Sequence, residues 1–171
     1  MRIERDFVFD PSLVLYLPLY ELDGVAFQSR DAYGHLCTNN GAVWNFNGLV
    51  FDGVDDTVPC GDSTQFYTAT GSLEIWVRLL RANADTYGEA VLLYGSGVND
   101  LLAIENTDTD EVTVRNRWGG EASPFRWAQE TTTSPFKLDI WTHIVLTQNG
   151  IAPKLFLDGQ SLLTVSTGND L

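Results

Sequence analysis

Basic residues are scarce: ten Lys and Arg stand against twenty-three Asp and Glu, a formal charge of −13. A surface this acidic repels the phosphates of nucleic acid and of anionic membrane, so neither is expected as a partner. Cysteine is scarcer still, with only Cys37 and Cys60. Without a Cys-x-x-Cys pair there is no zinc ribbon and no thioredoxin-like motif. Each thiol reads as a buried free cysteine, and a disulfide requires that the two sit on neighbouring strands. The only histidines are His35 and His143, and no serine stands in a Gly-x-Ser-x-Gly setting, so nucleophilic catalysis has no visible parts. No run of about eighteen apolar residues exists, which excludes a hydrophobic spanning helix. The opening Met1-Arg2-Ile3-Glu4-Arg5-Asp6 leads into a short apolar stretch, with Pro11 and Pro18 bracketing residues 12–17; no signal peptide is expected from it. No segment keeps a helical period over twelve residues, and there is no repeat or linker.

Turn chemistry is plentiful instead. Asn-Gly or Asp-Gly occurs six times, at Asp23, Asn40, Asn47, Asp52, Asn149 and Asp158. These pairs tolerate positive φ, as tight hairpins require. Between them lie short runs of β-branched, aliphatic and aromatic residues: 13–19, 42–44, 49–51, 72–80, 90–94, 101–105, 111–116, 141–147, 154–157 and 161–165. Segments 81–89 and 131–135 read as loops. Several runs alternate. Leu73, Ile75, Val77 and Leu79 share one face, while Glu74, Trp76 and Arg78 share the other, the pattern of a half-buried strand. With 44% hydrophobic and 19% charged residues the chain is globular, and residues 1–171 read as one all-β domain, a sandwich or a barrel.

Three stretches carry a resemblance. The first is Leu15-Tyr16-Leu17-Pro18-Leu19 with Ser29-Arg30-Asp31-Ala32-Tyr33-Gly34 behind it. The second runs from Gly48-Leu49-Val50-Phe51-Asp52-Gly53 to Gly71-Ser72-Leu73-Glu74-Ile75-Trp76-Val77. The third joins Trp141-Thr142-His143-Ile144-Val145 to Lys154-Leu155-Phe156-Leu157-Asp158-Gly159. In order and spacing they resemble the laminin-G-like, concanavalin-A-like lectin and glucanase superfamily. The resemblance implies an antiparallel β-sandwich of jelly-roll type, with Trp76 and Trp141 as buried packing residues and His143 as a structural one. It also implies a module that binds carbohydrate or a cell-surface glycan, outside the cell or in a surface assembly. Family members continue into a further strand beyond the Asp-Gly hairpin. The sequence stops at Leu171, soon after that hairpin; either the sequence is truncated, or it is a variant without that strand, whose open sheet edge invites homodimerisation. The fold hosts many functions, so a structural or adhesion domain that contacts protein is the competing expectation.

Candidate sites follow from residue chemistry. Glycoside hydrolases need two carboxylates, about 5 Å apart in retaining enzymes. The strand at 72–78 offers Glu74 without a partner, so no catalytic residue is assigned. Asp52, Asp55 and Asp56 lie close together, and Asp23 is a further oxygen source. They are the candidate ligands of a structural Ca2+, which takes about six to eight oxygens. A turn at Asp52-Gly53 followed by a solvated loop would account for the same residues. For sugar, the candidates are Trp118, beside Gly119-Gly120, together with Trp127, Tyr87, Arg117 and Arg126. An indole next to two glycines is free to stay exposed and stack on a sugar ring, or to fold back over the sheet edge.

Overall fold

The computed structural model describes residues 7–61, 70–80, 89–94, 101–106, 112–117, 137–149 and 153–161, the strands at 89–94, 101–106 and 112–117 as backbone alone. Every strand pairing is antiparallel, in sheets of two to four strands, and no α-helix occurs among the described residues. The chain divides into two compact units, Met1–Tyr67 and Thr68–Leu171.

The first unit opens with a single 3₁₀ turn at Phe7–Phe9. Two small hairpins follow. Strand β1 (Ala26–Gln28) pairs with β2 (Leu36–Thr38), and β3 (Val43–Asn45) pairs with β4 (Gly48–Val50). Beyond β2 the backbone runs alongside residues 57–59, with Asn40 and Thr57 exchanging both backbone hydrogen bonds at 2.9 and 3.0 Å. The apolar centre is small: Phe27, Cys37 and Ala42 are buried. Trp44 meets Phe27 edge-on at 5.5 Å and donates its indole N–H to Gly24 O. Asp31 organises the loop between β1 and β2. Its carboxylate accepts the backbone N–H of Tyr16, Tyr33 and Gly34 at 2.9, 2.9 and 3.2 Å.

Residues 13–19 do not join a sheet, although their composition suggests a strand. Pro18 has no N–H to give a ladder, and the backbone turns on it, Tyr20 and Glu21 both donating to Pro18 O. The β3–β4 hairpin turns on Phe46 and Asn47, one residue ahead of the Asn47-Gly48 pair. Asn45 Oδ1 accepts the Asn47 N–H there, closing a side-chain turn that needs no positive φ at the tip. Phe46 at that tip is 89% exposed.

Among its described residues the second unit holds two sheets. One has the order β11–β10–β9–β5, built from β5 (Thr70–Arg78), β9 (Trp141–Asn149), β10 (Pro153–Leu157) and β11 (Gln160–Ser161). The other is the meander β6 (Glu89–Tyr94), β7 (Leu101–Asn106) and β8 (Val112–Arg117). Alternation sorts the first sheet into two faces. Ile144, Leu146, Leu155 and Leu157 are buried, and Leu73, Ile75, Val77 and Leu79 pack against them. Each such side chain contributes about 1.5–3 kcal/mol when fully removed from water. The β10–β11 hairpin is closed by Asp158-Gly159, both with positive φ (48° and 76°), which is the primed turn the pair predicts.

Candidate functional site

The face of β5 and β9 opposite the apolar layer is the most chemically varied surface among the described residues. Registry places Glu74 opposite Val145, Trp76 opposite His143 and Arg78 opposite Trp141. Period two then brings all these side chains to one side of the sheet. The Trp76 indole stacks on the His143 imidazole, centroids 4.5 Å apart and planes 18° from parallel. His143 Nε2 lies 2.9 Å from Glu74 Oε1; an ionised carboxylate can only accept, so the imidazole donates. The Arg78 guanidinium carbon sits 5.7 Å from the centre of the Trp141 ring, within cation–π range, and Arg78 Nε is 3.6 Å from Asp139 Oδ1. Asp139 itself adopts positive φ (61°) and donates its N–H to Leu79 O, tying the entry of β9 to the end of β5. Behind the ring stack, Asp158 Oδ1 accepts the His143 N–H at 2.9 Å, and Asp158 N–H returns a bond to His143 O. The β10–β11 turn therefore pins the backbone beneath the imidazole.

Here the structure corrects the sequence reading. Trp76 and Trp141, expected as buried packing residues, are 59% and 41% exposed. The reason is registry: the aliphatic residues at odd positions of β5 take the packed face, which turns position 76 outward. His143 is tied to Glu74 and Trp76 on the open side. The alternation of Glu74, Trp76 and Arg78 already carried the signal for this face.

The acidic candidates also separate. Asp52, Asp55 and Asp56 offer carboxylate oxygens that all lie within 4.8 Å of one another, a group that could hold a metal ion, though exposed acidic groups of this kind are common without one. Some of these oxygens have another occupation. Asp52 Oδ1 accepts the N–H of Val54 at 2.8 Å and of Asp55 at 3.4 Å, and Asp56 Oδ2 accepts the Asp52 N–H at 2.7 Å. Asp56 also rests against the Cα of Gly41, where φ is +94° and a β-carbon would collide with the carboxylate. Asp23 is not in this group. Its carboxylate and that of Glu21 grip Arg30, at 2.8 and 3.0 Å. These contacts hold the guanidinium proton more firmly, Glu21 contributing most.

Of the residues expected to bind sugar, Arg117 closes β8, where the backbone alone is described. Trp118, Trp127, Arg126 and Tyr87 lie outside the described residues. No helix among the described residues is long and apolar enough to cross a membrane. Compared with protein-family models, curated proteins and solved structures, the chain matches none of them. What stands is the class: an all-β chain of small antiparallel sheets, one of which carries an exposed aromatic and charged face.

Proposed function

We propose that this chain is a non-catalytic recognition module for carbohydrate, on a laminin-G-like, concanavalin-A-like antiparallel sandwich, acting outside the cell or in a surface assembly. One observation carries the reading: Trp76 and Trp141 stand exposed on one strand pair, interleaved with Arg78, His143 and Glu74. A sugar offers an apolar C–H face and a rim of hydroxyls. Indole rings suit the first, and a carboxylate, an imidazole and a guanidinium suit the second. The two tryptophans occupy diagonal positions across the strands, about 7–8 Å apart at the backbone. Glu74 is paired with His143, and neither the Ser72–Arg78 row nor the Trp141–Thr147 row of this face brings it a second carboxylate, which favours binding over hydrolysis.

A glycan array followed by titration calorimetry tests this. A bound glycan should lose tenfold or more in affinity, about 1.4 kcal/mol, on Trp76→Ala or Trp141→Ala, while the unfolding midpoint stays near that of the parent. No retained glycan, or an unchanged affinity in both variants, overturns the proposal. Turnover of a β-glucan that disappears in Glu74→Gln would overturn its non-catalytic part.

Calcium assistance belongs to the same proposal. Three carboxylates supply part of the roughly six to eight oxygens that calcium takes, with backbone carbonyls or water making up the rest. Excess calcium should raise the thermal midpoint, by about 2.7 kcal/mol of stability at one hundred times the dissociation constant. Chelator, or Asp52→Asn, should abolish the shift. An unresponsive midpoint would make the group a turn and nothing more.

A second reading is favoured by the first unit, where Phe46, Val54, Val43 and Leu36 are all strongly exposed. Apolar residues in that number suit a structural or adhesion domain that contacts protein, a second copy included. Sedimentation of the chain alone separates the readings: dimers that persist without glycan favour adhesion, monomers that bind glycan favour recognition.

A further inference from the structure

Cys37 lies in β2 and is fully buried, at 0% exposure. Cys60 lies on the segment that runs antiparallel beside β2, and it is half-buried. Backbone hydrogen bonds set the register between the two. Asn40 and Thr57 exchange both bonds, and Thr38 N–H donates to Pro59 O at 3.0 Å. Pro59 has no N–H to return, so one bond is all that pair can make. Towards the N-terminus of β2 and the C-terminus of the facing segment, Thr38 stands opposite Pro59 and Cys37 opposite Cys60. Antiparallel pairs alternate between hydrogen-bonded and non-hydrogen-bonded positions. Since 40/57 and 38/59 are hydrogen-bonded, 37/60 is not. Cα atoms at such a position are about 4.5 Å apart and the side chains approach closely. That separation falls inside the range of about 4.4–6.8 Å that a disulfide spans.

The side chains agree with the register. Neither thiol is in a disulfide; Cys37 Sγ donates to His35 O and Cys60 Sγ to Val58 O, each at 3.5 Å, and each thiol bears on the protonation of the other. Burial, reinforced by the Cys37 thiol, pushes Cys60 up to about 12, and burial likewise raises Cys37. Among the described residues no third histidine, cysteine or carboxylate joins them in a metal-binding group. Two thiols opposite each other across a strand pair, with no third ligand among the described residues, suit a disulfide.

We propose that Cys37 and Cys60 form a cross-strand dithiol that closes to an intramolecular disulfide by exchange with a small-molecule disulfide such as glutathione disulfide. Cys60, the more accessible, attacks first. Its thiolate displaces one glutathione and forms a mixed disulfide. The Cys37 thiolate then attacks the Cys60 sulfur and expels the second glutathione. Two electrons pass to the glutathione disulfide, the two protons of the protein thiols end on the two glutathiones, and one protein S–S bond replaces one small-molecule S–S bond. The link closes the chain from β2 through the β3–β4 hairpin and the Asp52–Asp56 turn, a loop over residues 37–60 of the first unit. Because the thiolate is the nucleophile and both thiols are raised, closure is slow at neutral pH and accelerates with alkalinity.

The full chain is incubated with glutathione disulfide at pH 7 and pH 9, then alkylated and mapped by mass spectrometry without reduction. The expected result is a linked peptide pair containing Cys37 and Cys60, an intact mass lower by two hydrogens, and a closure rate about tenfold higher per pH unit. The oxidised chain should also unfold roughly 5–10 °C higher than the reduced one. In Cys37→Ala the reaction should stop at glutathione on Cys60. Glutathione held on Cys60 of the parent chain without closure, a disulfide that joins two chains, or two thiols that stay alkylatable at both pH values would each overturn the proposal. The parent chain decides the matter even if Cys37→Ala does not fold.

Discussion

Asp31 shows how much one side chain holds in the first unit. Burial raises its carboxyl, but the Ser29 hydroxyl and the backbone N–H groups of Tyr16, Tyr33 and Gly34 outweigh burial and hold it below its ordinary value of 3.8. The sign follows directly. A group whose folded value is depressed stabilises the fold above its unfolded value, and loses that stabilisation as pH falls through the folded one. Stability to denaturant should therefore fall below about pH 3.8 in the parent, and this acid-side slope should shrink in Asp31→Asn. At pH 7 the same substitution should cost about 1–3 kcal/mol, because an amide places its NH₂ group against backbone donors. An unaltered acid limb in Asp31→Asn would assign the pH dependence to other carboxylates. Gly41 belongs at this scale too. The Asn40-Gly41 pair was legible as a turn, and φ +94° bears it out, but the contact with Asp56 comes from a segment fifteen residues on and could not be read locally.

At the scale of elements, β5 and β9 divide their residues so sharply that neighbours should differ in cost. Ile144 has no exposed surface and lies against the Leu73–Leu79 row, so Ile144→Ala should cost about 2–5 kcal/mol in chemical denaturation. Val145, one position on, faces the open side, and Val145→Ala should cost well under half of that. Equal losses would mean that both faces are packed. This alternation is also what made the sheet readable: residues 72–80, 141–147 and 154–157 were expected as strands, and all are except Leu79 and Leu80, which lie beyond the end of β5 at Arg78. Strands β1 and β2 escaped because Ala26-Phe27-Gln28 and Leu36-Cys37-Thr38 are too short to show a period. Residues 13–19 misled in the opposite direction, since apolar content said strand while Pro18 prevented one. The exposed face of β5 and β9 was half legible. Glu74, Trp76 and Arg78 were placed together by period two, yet the family resemblance drew Trp76 and Trp141 inward against that pattern. Registry with β9, which brings His143 and Trp141 beside them, is a long-range fact that no single run contains.

For the whole molecule, the governing number is the charge of −13. At neutral pH that repulsion opposes association of copies through exposed Phe46, Val54 and Leu36. Near the isoelectric point of about 4.2 the repulsion vanishes. Light scattering should therefore rise as pH approaches that value and fall again at pH 7, with added salt narrowing the difference. Scattering indifferent to pH would mean that the apolar residues are shielded by something other than charge. The exposed tip of the β3–β4 hairpin carries a separate consequence. A protease that cuts after aromatic residues will meet Phe46 early, and Phe46 lies between Cys37 and Cys60 in the chain. Once nicked there, the oxidised protein would still migrate as one band on a denaturing gel and fall into two fragments only when reductant is added, while the reduced protein would separate at once.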